Sequence, residues 1–146
     1  MLTLALAVLL TFTDPPADLG NGTVRQPTAA VGRPNGALDV TQFELYDSEA
    51  VTFSLTFTSL ANPFNLPNGF TFPIIEVYLD DQLGTGSAML LPGSGMRLPR
   101  GATWNYAFKL TGETLHVFQG TPNGWQDVTN RYPTRLTLQG TTIIMS

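Results

Sequence analysis

The sequence offers few side chains for acid–base or nucleophilic chemistry. His116 is the single histidine and cysteine is absent, and no Gly-x-Ser-x-Gly motif presents a serine nucleophile. His116 lies between Leu115 and Val117, which form the inward set of an alternating segment, so its imidazole is expected to point outward. Asp80 and Asp81 are adjacent, and neighbours at a strand end point to opposite sides, whereas glycoside hydrolysis needs two facing acids. The sequence therefore predicts no catalytic residues and no enzyme activity.

Loop carboxylates are the second group of candidates, for Ca²⁺, because hard cations bind clustered carboxylates and backbone carbonyls. Asp14, Asp18 and Asp80 lie near glycine or proline at predicted strand ends. The alternative is that Asp14 and Asp18 are turn residues that accept hydrogen bonds from their own backbone. No EF-hand spacing is present, so the three aspartates stand as a Ca²⁺ prediction beside the turn interpretation.

Exposed aromatic residues are the third group, because sugars stack their apolar faces on aromatic rings while amides and carboxylates bind the hydroxyl groups. Trp125 follows an Asn-Gly turn and precedes Gln-Asp, so it is the first stacking candidate, and Tyr78 is the second. Asn65 and Asp81 are the candidate hydroxyl partners. Phe64 and Asn65 lie in a proline-bounded loop, where they form either the rim of a binding site or a rigid plug against the end of the domain.

The elements that must position these residues are strands. Residues 50–58 alternate without a fault between a Val/Phe/Leu set and a Ser/Thr set, which predicts one face in the core and the other in water. Residues 104–110 alternate in the same way, so Trp104 and Tyr106 are interpreted as core. Residues 70–79 are apolar on both faces, which is typical of a strand covered on both sides. The expected buried core comprises Phe53, Phe57, Phe72, Ile74 and Phe108.

The number and spacing of these segments predict the fold class. Eight or nine strands separated by turn residues are typical of an all-β, antiparallel β-sandwich. Residues 121–124 are predicted to form a hairpin turn, because Asn-Gly favours positive φ. The loops 14–39, 62–69 and 80–95 are expected to carry the binding function. The sequence ends in a strand-like run, so the sandwich is either truncated there or finishes on an edge strand.

The length, the net charge and the apolar N-terminal residues exclude some classes of protein function. The chain has 146 residues, which is room for one domain. It carries 7 Lys and Arg against 11 Asp and Glu, a net charge of −4, which excludes a basic nucleic-acid-binding surface. Residues 1–10 are apolar but too few to span a bilayer, so no membrane-spanning segment is predicted. Residues 1–7 are either a signal-like segment or an extension of the first strand, and residues 8–146 are expected to form a single β-sandwich domain.

Six segments together resemble one family. They are TFTDPPAD (11–18), LDVTQFELY (38–46), LANPFNLPNGFTF (60–72), IEVYLDD (75–81), GTGSAMLLPG (84–93) and WNYAF (104–108). In order and spacing they resemble the C-terminal domain of glucodextranase, which also occurs as an accessory module in amylopullulanases and cell-surface proteins. The most specific segment is the Asn-Pro-Phe-Asn-Leu-Pro-Asn-Gly-Phe run at 62–70, and the resemblance covers residues 9–138.

The resemblance implies a non-catalytic β-sandwich, similar to carbohydrate-binding modules, in a secreted or envelope-associated protein. Two functions follow as hypotheses. The first is a module that binds polysaccharide or cell-wall glycan. The second, which the low charge and the long insertion 14–39 favour, is a structural subunit that docks onto a larger envelope or surface-layer protein assembly. The sequence lacks the further strands of the family pattern and an attached catalytic domain, so a role in polysaccharide degradation is not carried over.

Overall fold

The computed structural model describes residues 7–14, 39–47, 50–81, 85–94 and 96–146. These residues form nine β-strands and one short 3₁₀ helix at Thr129–Arg131. The strands are β1 Ala7–Thr13, β2 Val40–Asp47, β3 Thr52–Phe57, β4 Ile75–Leu79, β5 Tyr106–Leu110, β6 Leu115–Thr121, β7 Gly124–Asp127, β8 Leu136–Gln139 and β9 Thr142–Met145.

The strands form two antiparallel sheets, one in each of two compact units. The first unit comprises the described residues up to Pro73 together with Thr134–Ser146, and it holds a five-stranded sheet in the order β1-β2-β3-β9-β8. The second unit, Ile74–Pro133, holds a four-stranded sheet in the order β4-β5-β6-β7. The all-β antiparallel class and the predicted number of strands are confirmed. Of the signal-like segment 1–7, only Ala7 lies among the described residues.

The five-stranded sheet confirms the predicted inward face of β3 but not its polar face. Phe53 and Phe57 are buried, as alternation requires. Thr52 and Ser54, which were expected in water, are buried too. The reason is on the neighbouring strand β2, where the Tyr46 hydroxyl and a Glu44 carboxylate oxygen each lie 3.3 Å from Ser54 Oγ. Side chains of β2 therefore cover the polar face of β3, which periodicity alone could not show.

The segment before β4 corrects two of the expected core positions. Ile74 is 69% exposed, and Phe72 is half-buried. Pro73 has no N–H to donate to a ladder, so strand pairing starts only at Ile75 opposite Leu110. The alternation is therefore set by Ile75, which is buried. Phe108, the last of the predicted core residues, is buried as expected.

The four-stranded sheet carries a row of side chains on one face. The register aligns Tyr78 with Ala107, Ala107 with Phe118, and Phe118 with Asp127. We call the face that carries Tyr78, Phe118 and Trp125 the aromatic face. Half of it lies under the covering loop, residues 85–94 and 96–104, whose Leu91, Leu98 and Trp104 pack with Tyr78, Ala107 and Phe118.

Trp104 is buried, as predicted, but on the face opposite to the one its alternation indicated. It precedes β5 and forms an isolated bridge with Ser87, which turns it onto the aromatic face, while Tyr106 is half-buried. A Cβ at Gly86 or at Gly120 would lie 2.2 Å from the Trp104 carbonyl oxygen. Glycine at these two positions therefore lets the Trp104 backbone approach the sheet.

Candidate functional site

The β6–β7 hairpin places aromatic and charged side chains on the uncovered half of the aromatic face. Its turn is 121–124, as predicted, and Gly124 has a φ of +139°. The register pairs Gly120 with Trp125 and Phe118 with Asp127. Because side chains directly opposite each other share a face, Trp125 and Asp127 lie beside Phe118. Gly120, opposite Trp125, has no side chain, and Trp104 of the covering loop occupies the space over it.

Three rings form a continuous row on this hairpin. The Trp125 indole is 38% exposed and meets Phe118 edge to face, with ring centroids 5.4 Å apart. Phe118 in turn stacks with the His116 imidazole at 6.0 Å. Phe118 is half-buried, so it supports the two outer rings from beneath the surface. The row presents an indole and an imidazole to solvent over a fixed aromatic base.

Asp127 supplies the charge beside this row. Its Oδ1 accepts hydrogen bonds from the Thr129 hydroxyl at 2.6 Å and the Thr129 N–H at 2.9 Å. Its Oδ2 lies 3.1 Å from His116 Nδ1. Hydrogen bonds from the Thr129 hydroxyl and backbone, and then the His116 interaction, lower the pKa of Asp127. The side chain is 48% exposed, so a fixed carboxylate faces solvent next to the rings.

The arrangement suits binding of a ligand that has both an apolar face and polar groups. An exposed indole stacks on an apolar ring face, and the carboxylate and imidazole accept or donate hydrogen bonds beside it. Within the described residues, His116 contacts Asp127 and Phe118 and no serine hydroxyl. A catalytic triad combines a carboxylate, a histidine and a nucleophile, and among the described contacts His116 has only the carboxylate. His116 points outward, as the alternation predicted.

Tyr78 occupies the covered half of the aromatic face. Its hydroxyl donates to Glu76 Oε2 at 2.7 Å and accepts from the Leu91 N–H at 3.2 Å, and its ring meets Trp104 edge to face at 5.4 Å. Burial, and then the Glu76 hydrogen bond, raise the pKa of Tyr78 well above its usual value. Tyr78 thus shares a face with Trp125, but its ring and hydroxyl are engaged in holding the covering loop.

The remaining predicted binding residues lie in two different units. Asp81 is an exposed residue of the second unit, and its backbone N–H donates to Asn105 Oδ1 at 3.3 Å. Phe64 and Asn65 belong to the first unit. Phe64 is 60% exposed, and its ring lies 6.5 Å from that of Phe72.

The loop that carries Phe64 and Asn65 is held by hydrogen bonds of Asn62 and Thr71. Asn62 donates through Nδ2 to the Leu66 carbonyl and accepts the Leu66 N–H at Oδ1, both at 2.8 Å. Asn65 adopts a φ of +52°, a left-handed conformation that asparagine tolerates better than most residues. The loop is therefore ordered around Asn62 while Phe64 projects into solvent, an arrangement closer to a rim than to a buried plug.

Two of the three candidate calcium ligands, Asp14 and Asp80, lie among the described residues, one in each unit. Asp14 is exposed, Asp80 accepts a hydrogen bond from the Thr103 hydroxyl at 3.4 Å, and Asp18 lies outside the described residues. In the part of the chain that is described, no group of three His, Asp or Glu side chains could hold a metal ion. Calcium binding by these aspartates stays a prediction.

Sequence reasoning missed Phe118 and Thr129 and assigned no binding role to His116. The information was present in the hairpin. A turn at 121–124 fixes the register of its two strands, and counting outward from it places residue 118 opposite 127. The contact of Thr129 with Asp127 depends instead on the 3₁₀ turn after β7, which no repeating pattern announces.

The described residues thus form an all-β antiparallel fold with an exposed aromatic row on one hairpin. The model of one family, the SLH-like C-terminal binding module of glucodextranase, matches residues 9–144, and the chain belongs to this family. The resemblance drawn from the sequence is thereby confirmed. No curated protein and no solved structure gave a significant match. None of the helices among the described residues has the length and apolar character needed to cross a membrane.

Proposed function

We propose that this module binds glycan, a polysaccharide or a cell-wall polymer, through the exposed row on the β6–β7 hairpin. The observation that carries the proposal is the 38% exposed indole of Trp125 on the same face as Asp127. A sugar ring stacks on the indole, and its hydroxyl groups donate to the Asp127 carboxylate. His116 adds a second polar group within reach of the same sugar.

The site is organised before the ligand arrives. Thr129 and His116 fix the Asp127 carboxylate, and Phe118 fixes the indole. Ordering a side chain on binding costs about 0.5–1.5 kcal/mol, so a pre-ordered site retains more of its interaction energy.

Charge favours a neutral glycan. The protein carries a net charge of −4, and Asp127, with its lowered pKa, is ionised at neutral pH. An acidic polysaccharide would be repelled by this carboxylate, whereas neutral hydroxyl groups donate to it. The family is described as an SLH-like binding module of glucodextranase, which supports a secreted or cell-envelope location for this protein.

Co-sedimentation with insoluble α-glucan and with purified cell walls tests the proposal. Retention on at least one of them is expected, with affinity at least tenfold lower for Trp125→Ala. Tyr132→Ala is the matched control, because Tyr132 is an exposed ring of the same unit that contacts Tyr106 instead of the row. Retention on neither material, or equal retention of the Trp125→Ala variant, would contradict glycan binding at this site.

A second function, a structural subunit of a larger envelope or surface-layer assembly, is favoured by a different surface. Strand β1 is an edge of the five-stranded sheet, and it exposes 43% of Leu10 and 61% of Phe12. Exposed apolar side chains on an edge strand are typical of protein contacts. Capture of an envelope protein that is lost with Phe12→Ser and kept with Trp125→Ala would favour this function over glycan binding.

A further inference from the structure

The covering loop contains an apolar cavity of its own. Its volume is about 390 Å³, near the lower end of the roughly 300–1,000 Å³ typical of ligand pockets. We call it the arginine pocket. Its lining includes Ala88, Leu90, Met96, Arg97, Leu98 and Ala102.

The wall of the arginine pocket is held in place by the sheet below it. Leu98 packs on the cluster around Trp104, and the Trp104 indole N–H donates to the Met89 carbonyl at 2.9 Å. The Lys109 ammonium donates to the Pro92 carbonyl at 3.3 Å. The Lys109 contact ties the loop to β5, and the Trp104 contact ties the two segments of the loop to each other, so the cavity is a formed feature of the second unit.

Two exposed arginines lie beside the pocket. Arg97 lines the cavity and Arg100 follows its Pro99 wall, and both side chains are exposed. Within the described residues neither guanidinium forms an ion pair, whereas Lys109 pairs with Glu76 at 2.8 Å. Arg97 and Arg100 thus place two positive charges at one edge of the cavity in a protein whose net charge is −4.

The exposed Met96 adds a third property. Its side chain is 66% exposed and lines the same cavity. Methionine adapts its shape to different apolar groups, and methionine and arginine are both enriched at protein interfaces. The combination is typical of a surface that contacts another polypeptide.

We propose that the arginine pocket binds an acidic peptide segment of a protein partner, with one bulky apolar side chain of that segment in the cavity. The apolar walls accept the side chain, and flanking carboxylates pair with Arg97 and Arg100. A cavity of about 390 Å³ has room for an apolar side chain of that segment. The proposal is independent of glycan binding, because none of its residues belongs to the Trp125 row.

Selection from a random peptide library displayed on phage tests the proposal with the intact protein as bait. The enriched peptides are expected to combine Asp or Glu with a neighbouring Leu, Ile, Phe or Met. A synthetic peptide of the enriched sequence should bind at least tenfold more weakly to an Arg97→Glu/Arg100→Glu double variant. It should also bind more weakly to Ala88→Trp, which fills the cavity without a change of charge.

The control is an Arg131→Glu/Arg135→Glu double variant, which makes the same change in net charge at two other exposed arginines. It should bind the peptide within about threefold of the unchanged protein, and circular dichroism verifies that all variants fold. Enrichment of peptides without acidic residues, or equal binding by the Arg97/Arg100 variant, would overturn the proposal. Binding to phosphatidylglycerol vesicles that depends on both arginines, without any enriched peptide, would assign the surface to anionic lipid instead.

Discussion

The two halves of the aromatic face differ in what lies above them. On the β4–β5 side, Tyr78 and Ala107 are covered by Trp104 and Leu91. On the β6–β7 side, Trp125 extends the same face and is 38% exposed. Both halves belong to one antiparallel sheet with one continuous register, so strand pattern does not distinguish them. The course of one loop decides which aromatic residues stabilise the fold and which remain available for a ligand.

The two tryptophans give the largest expected contrast between these halves. Trp104→Ala should reduce the free energy of unfolding by about 3–5 kcal/mol, the usual effect of truncating a buried aromatic residue, because Trp104 is 1% exposed. Trp125→Ala should reduce it by about 2 kcal/mol, since 38% of the residue already contacts water and only the buried remainder contributes. Urea denaturation measures both. Equal decreases in the free energy of unfolding for the two variants would contradict the expectation that the buried tryptophan stabilises the fold more than the exposed one.

Gly120→Ala should lift the covering loop from the sheet. The new Cβ would lie 2.2 Å from the Trp104 carbonyl oxygen, so backbone must move, and overpacking of this kind typically costs about 1–3 kcal/mol. In a Trp125→Phe background, acrylamide quenching of Trp104 fluorescence should increase. Gly93→Ala is the control, because no atom lies within 4 Å of its Cβ position; its effect should be limited to backbone strain and leave quenching unchanged.

The Tyr78 hydroxyl should make the covered half sensitive to alkaline pH. Its pKa is raised in the folded protein, so its contribution is fully present below the unfolded-state value of about 10 and is lost as pH rises through the folded-state pKa. Tyr78→Phe should reduce stability by about 1 kcal/mol at neutral pH. The difference from the unchanged protein should shrink above pH ~10, as measured by urea denaturation across pH. A difference that is constant with pH would contradict this assignment.

Substitution of Asp127, in the uncovered half, should have the smallest effect on stability. Its pH dependence should be opposite to that of Tyr78, with the contribution lost in acid instead of in alkali. Its pKa is lowered in the folded protein, so its contribution is present above the unfolded-state value of about 3.9 and is lost as pH falls through the folded-state pKa. Asp127→Asn should lower the melting temperature slightly at pH 7, and the difference should diminish on acidification. Asp81→Asn serves as an exposed control. If the difference in melting temperature between Asp127→Asn and the unchanged protein increased in acid, the folded protein would not stabilise the ionised form of Asp127.

The alternation of apolar and polar residues predicted where the strands lie. It predicted less well which strand faces are buried by other parts of the protein. The inward set of β3 follows directly from its sequence, because period two is a property of the strand itself. The burial of Ser54 depends on Tyr46 and Glu44 of another strand. Trp104 was assigned to the core correctly, but its face depends on a bridge to Ser87. Long-range contacts of this kind leave no periodic trace in a single sequence.

In the candidate site, too, features set by local sequence were predicted and those set by long-range contacts were not. Trp125 was predicted because an Asn-Gly turn is a local feature that places the next residue on a hairpin. Tyr78 was predicted as a second stacking ring, and the covering loop, an irregular segment, places Leu91 and Trp104 against it. Ile74 was misplaced by one position because the start of pairing after Pro73 depends on the partner strand. The path of the irregular segments could not be predicted from the sequence.

The strand order also has a consequence for the sequence of events during folding. The four-stranded sheet joins strands that are neighbours in the chain order, whereas β3 pairs with β9, and Thr56 bonds to Thr142 across 86 residues. Closing a longer loop has a larger entropic cost, and non-local pairing slows folding. We therefore expect amides of β5 and β6 to gain protection in pulsed hydrogen exchange before those of β9. Until β9 arrives, one edge of β3 lacks its partner strand, and this is the interval in which a chaperone or a wrong strand could pair with it.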